Sequence, residues 1–168
     1  MKQINQLFLL AFCVCFFGIQ INAQSKSDSE SALDVRVAKA LSQTKTEYQV
    51  GKEAMYKVTY TTTGKRTQTA LIESATETIY GVEMRLVFSF AVIGGNAPSQ
   101  EIANFLLEEN LKYANKWGIQ KEDKGKFSIV NMVYVPADSD GKQLDIALSS
   151  VMIAADKLEE RLSKKDEF

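Results

Sequence analysis

No histidine occurs anywhere in the 168 residues, and the only two cysteines, Cys13 and Cys15, lie in an apolar stretch near the start. The fold therefore has neither imidazole for a metal nor a thiol pair in its body to staple it. Whatever forms must be held by apolar packing, hydrogen bonds and ion pairs alone. The same absence removes the commonest general base and the most nucleophilic side chain, so most familiar catalytic constellations cannot be built.

The first residues carry the three regions of a secretory leader in order. Lys2 supplies positive charge, Leu7 to Phe17 forms an apolar run, and Ile21-Asn22-Ala23 ends on a small residue before Gln24. A spanning helix needs about 20 apolar residues, and this run is interrupted by Gln20 and Asn22. The expectation is a signal peptide over 1–23, cleaved between Ala23 and Gln24, and a protein that is secreted or periplasmic with no stable membrane insertion afterwards. Leu10-Ala11-Phe12-Cys13 offers lipidation of Cys13 as the alternative, against which Phe12 is too bulky.

Loss of Lys2 leaves 19 basic against 21 acidic residues, net −2, which attracts neither nucleic acid nor anionic lipid. The remaining chain is long enough for one domain with a hydrophobic core and no disulfide. Residues 24–31, QSKSDSES, read as a flexible tether, 32–163 as a single domain and 164–168 as a polar tail.

Hydrophobic periodicity places the elements. Leu33, Val37, Ala40 and Leu41 predict a short helix behind Ser31 as N-cap, ending near Thr44. Alternation from Met55 to Thr61 predicts a strand, Thr63-Gly64-Lys65 a hairpin turn, and Arg66 to Ile79 a second, threonine-rich strand. After Tyr80-Gly81, the segment Val82 to Ile93 is apolar on both faces and is expected at the centre of the sheet. Gly94 to Pro98 breaks it. Ser99 or Asn96 then caps a helix with Ile102, Phe105, Leu106, Glu109 and Tyr113 in one stripe. A hairpin follows, Trp117 to Glu122 and Phe127 to Val135, and Leu144, Leu148, Val151, Ala155, Leu158 and Leu162 define a long closing helix. The order α-βββ-α-ββ-α predicts an α+β fold, an antiparallel sheet of about five strands packed with helices.

That order resembles the YbjN-like proteins, which share the type III secretion chaperone fold. The likeness spans roughly Leu33 to Leu162. It rests also on Leu106-Leu107-Glu108-Glu109-Asn110 before the Trp117-Gly118 turn, and on Ala154-Ala155-Asp156-Lys157-Leu158 in the last helix. The resemblance implies a small non-enzymatic domain, often dimeric, binding protein segments through sheet edges and apolar patches. The leader departs from that family, whose type III members act in the cytoplasm.

Sharper chemical readings fail on context. Ser42-Gln43-Thr44-Lys45 and Ser139-Asp140-Gly141-Lys142 have S-x-x-K spacing without the S-D-N or K-T-G partners. Gly94 to Ser99 leads into a helix N-terminus but lacks a P-loop lysine. Glu108-Glu109, Glu122-Asp123 and Glu159-Glu160 are adjacent pairs whose side chains diverge. Ala137-Asp138-Ser139-Asp140-Gly141 is too short for a calcium loop. Lys121, Lys124 and Lys126 are interrupted by acids, against a nucleic-acid patch. No catalytic, cofactor or metal residue is therefore assigned. Tyr113, Trp117 and Phe127 are the expected partner-binding cluster, an aromatic anchor near the second hairpin. The leading functional expectation is an exported, non-enzymatic protein- or peptide-binding module, with homodimerisation among its partner options. The alternative is a periplasmic carrier of a small apolar ligand.

Overall fold

A computed structural model describes residues 32–62 and 65–163. The expected leader, cleavage pair Ala23 and Gln24, tether, most of the first hairpin turn and polar tail lie outside the described residues. The rest is α+β: three helices and an antiparallel sheet. In chain order these are α1 (Val35–Gln43), β1 (Gln49–Val50), β2 (Met55–Thr61), β3 (Thr67–Glu73), β4 (Glu77–Ile79), β5 (Val82–Gly95), α2 (Gln100–Lys112), β6 (Lys116–Lys121), β7 (Phe127–Pro136) and α3 (Gly141–Leu162). The sheet runs β1-β2-β3-β5-β7-β6, with β4 paired to the outer end of β5.

The sheet has seven strands where about five were expected. One addition is β1, two residues folded back on Tyr56 and Lys57. The other comes from splitting the expected strand over Arg66 to Ile79. Arg85 on β5 turns inward, only 2% exposed, and donates to the carbonyls of Glu73 (2.5 Å) and Ser74 (2.9 Å). A side chain thus takes carbonyls that a ladder would use, and the line restarts as β4. The same guanidinium reaches the Asp34 carboxylate at 2.5 Å.

That carboxylate explains a second difference. Asp34, not Ser31, is the N-cap of α1, accepting from the Arg36 amide at 2.9 Å, and Leu33 stays outside the helix and exposed. Arg36 also bridges to Glu83 on β5 at 2.7 Å, so four charged groups pin the start of α1 to the sheet. Beside Arg36 and Arg85 the Asp34 carboxyl is held well below the usual carboxylate range.

As expected, β5 is central: β7 runs along it from Met84 to Gly95, while on its other side β4 pairs from Val82 to Met84 and β3 from Val87 to Ser89. It continues through Gly94 and Gly95, where a break was expected, because register shifts after Phe90 and Val92 absorb the irregularity. Ser99 caps α2, accepting from the Ile102 amide at 3.3 Å. Asp140 caps α3 in a capping box with Gln143. Asp140 thereby holds the start of α3 through Oδ1.

All three helices lie on one face. There α1 and the first half of α3 bury Val58, Ile72, Val87 and Val135, while α2 and the second half of α3 bury Ala91, Ile129 and Leu106. Between the two apolar clusters the strands contribute fully buried Gln68, Ser89 and Asn131, linked by side-chain bonds to neighbouring backbone or to Asn115. Nearby, Arg66 donates to Asp156 (2.7 Å) and Glu159 (2.8 Å), tying the base of β3 to α3. On the opposite face the register sets Leu71, Phe88 and Met132 side by side, and no described helix covers them.

Candidate functional site

The site begins with how α2 hands the chain to β6. Two of its closing carbonyls, those of Asn110 and Tyr113, accept from Lys116 Nζ at 2.6 and 2.7 Å, which satisfies groups that a helix end leaves open. One turn earlier Asn110 points at the strand edge. Its Oδ1 accepts from the Trp117 amide at 2.5 Å and its Nδ2 donates to the Trp117 carbonyl at 3.1 Å. The side-chain amide thus makes the two bonds that a neighbouring strand would make.

The pairing fixes Trp117, which packs its indole against the cluster of Leu106, Ala155 and Leu158. Between α2, β6 and α3 a groove of about 420 Å³ remains open. Phe105, Trp117 and Leu158 line its interior, Tyr113 and Ile153 stand at its sides, and both of the latter are exposed. The rim is charged. Arg161 lies over the Phe105 ring, 4.5 Å from its centroid, and pairs with Glu101 at 3.8 Å, while Lys157 stands one turn away without an ion pair among the described residues. Glu109 on the α2 side is neutralised by Lys112 at 3.1 Å. The mouth therefore presents an apolar interior beneath a net positive rim.

Of the three expected anchor residues the structure brings two together. Tyr113 and Trp117 share the groove. Phe127 opens β7 opposite Lys121 and Gly95, half-buried and outside it. Sequence reasoning missed Ile153, Arg161, Asn110 and Asn115. For Ile153 a signal existed: Ile146 and Ile153 are apolar, seven residues apart, and off the core stripe of α3, and both are more than half or about half exposed, at 60% and 50%. A helix that carries isoleucine on a second face has something further to cover.

The polar groups that line the groove are Glu109, Tyr113, Asn115, Ser150, Lys157 and Arg161. Its one hydroxyl among serines, Ser150, donates to the Ala147 carbonyl at 2.8 Å within its own helix. Among the described residues no cluster of three or more acidic, histidine or cysteine side chains is placed for a metal. On the other flank of α3 a more polar recess of about 690 Å³ includes Tyr60, Thr62, Arg66 and Asp156. Arg66 there engages Asp156, and Tyr60 donates to Asp145 at 2.9 Å.

The outer strand β6 offers a second surface. Antiparallel strands turn alternate residues' backbone groups to the same side. With Trp117 facing Asn110, Ile119 and Lys121 also face outward, and Ile119 is 43% exposed. Asn110 thus closes the first position of this edge and leaves the next two open. No described helix is long and apolar enough to cross a membrane. Compared with family models, curated proteins and solved structures, the chain matches none.

Proposed function

We propose that this is an exported, non-enzymatic binding module that holds an apolar or aromatic side chain of a protein or peptide partner in the α2-β6-α3 groove. The observation that carries the reading is the groove itself: an open apolar interior beneath a charged rim, framed by the Asn110 to Trp117 pairing. Aromatic and arginine side chains at one concave site are the composition of binding hot spots. The open part of β6 provides backbone groups to which an extended segment can add. Export rests on the leader pattern, and the chaperone-like character on the family resemblance of the element order.

The groove volume favours one further reading, a carrier for a small apolar ligand, because about 420 Å³ lies within the ordinary range of small-molecule sites. A single experiment tests both. Trp117 is the only tryptophan, so its emission reports on the groove. Anilinonaphthalene sulfonate, apolar rings carrying one anionic group, is expected to bind the folded protein with energy transfer from Trp117. Ile153→Glu is expected to abolish that transfer and Ile146→Glu, outside the groove on the same helix, to leave it. Equal binding by both variants, or none by the parent protein, would overturn the groove as the site.

A further inference from the structure

The tip of the β4–β5 hairpin is built against local preference. Tyr80 and Gly81 are its two central residues, with φ of 49° and 81°, the both-positive form of a type I′ turn. That turn favours asparagine or glycine at the first position, where a bulky side chain is strained. Tyr80 is also fully exposed and makes no hydrogen bond or ring contact with the described residues. Val82 beside it is 50% exposed. The fold thus carries a strained aromatic that gains nothing from the other described residues.

The tip has the chemistry that the groove receives. Glu77 and Glu83 stand on the two arms of the hairpin, Glu77 accepting from the Tyr134 hydroxyl and Glu83 bonded to Arg36 and Thr76. An aromatic flanked by acids thus matches an apolar recess whose rim holds Lys157, and Arg161 paired with Glu101 at 3.8 Å. One chain cannot fill its own groove. From Val82 at the hairpin to Ala91, which packs with the groove cluster, β5 runs nine residues, roughly 30 Å of strand.

We propose that the occupant of the groove is Tyr80 of a second copy of this chain, inserted head to tail. The proposal rests on the groove reading above and names its partner. A contact between two different surfaces does not close on itself at two subunits, so association continues past the dimer into rings or chains.

Sedimentation velocity over a concentration series, with Trp117 emission as the local readout, tests it. Tyr80→Asn suits the turn better than tyrosine and keeps the fold while removing the anchor. It is expected to weaken association by about 30-fold, the loss of one hot-spot side chain. Ile153→Glu, on the exposed face of α3, is expected to do the same from the other side. Tyr80→Asn retains a groove and Ile153→Glu retains a tip, so mixing them is expected to give a one-to-one heterodimer that grows no further. A parent protein that stays monomeric, a Tyr80→Asn variant that associates as the parent does, or a mixture that stays monomeric would each overturn the proposal. Where the chain stays monomeric but anilinonaphthalene sulfonate still reaches Trp117, the groove reading stands and only the second copy falls. Where the dye fails as well, both fall.

Discussion

The side chain of Asn110 pairs with both backbone groups of Trp117, the amide at 2.5 Å and the carbonyl at 3.1 Å, so that a helix residue occupies the place of a neighbouring strand. It blunts an edge that would otherwise template pairing with another chain. It also sets the indole that floors the groove. Asn110→Ala is expected to cost about 1–3 kcal/mol, through two backbone groups left without a partner. Urea denaturation followed by Trp117 emission measures it. Asn110→Asp, which keeps the acceptor and sets a carboxylate against the Trp117 carbonyl, is expected to cost more than Asn110→Ala. Equal stability of all three proteins would show that the pairing contributes nothing.

Phe88 is 8% exposed in the middle of β5, between Leu71 and Met132, with its ring edge-on to Phe90 at 5.6 Å. Phe88→Ala is expected to destabilise by about 3 kcal/mol, the low end for a large buried ring, because the uncovered face can partly collapse. A change near zero in the denaturation midpoint would contradict the central position of this strand's packing.

Arg66 holds two acids of α3, and Glu159 is only 1% exposed. Arg66→Met removes the countercharge and leaves buried carboxylates, which costs about 3–5 kcal/mol. The expectation includes partial rescue by adding Glu159→Gln, which removes one of those charges. A double variant no more stable than the single would show that the charge is not the cause.

Asp34 and Glu83 both titrate below their ordinary range, Asp34 through Arg36 and Glu83, down to about 2, through Arg36 and Thr76. The unfolded chain therefore binds their protons first on acidification. Their contribution is present in full above the ordinary carboxylate range and is lost as pH falls through 4 toward 2. Thermal midpoints measured across that window are expected to drop, and Arg36→Gln is expected to flatten the drop. An unchanged slope in the variant would remove this network from the acid response.

Much of the fold was legible because apolar spacing has a period and caps have a chemistry. Ser99, the α3 stripe and the central β5 follow from those rules alone. The split of β3 from β4 was not legible, since it depends on Arg85 reaching 11 and 12 residues back along the chain to two carbonyls. The α1 cap moved to Asp34 for a related reason: its carboxylate is claimed by Arg36 and Arg85, the latter 51 residues away. For the site, Tyr113 and Trp117 stood out as aromatics at the end of elements. Ile153 and Arg161 join them only because α3 crosses beside α2, and Phe127 is separated because its strand opens at the far side of the hairpin.

The central claim is that the groove between α2, β6 and α3 is where a partner is held. The most direct measurement is a heteronuclear magnetic-resonance titration of the labelled protein with the peptide Glu-Thr-Ile-Tyr-Gly-Val-Glu, an aromatic flanked by acids. The account predicts that the single indole signal of Trp117 and the amides of Ile153 and Lys157 move together and saturate, and that Ile153→Glu abolishes the response. Shifts confined to the Ile119 to Lys121 edge or to the open face around Phe88, with the Trp117 signal unmoved, would contradict it.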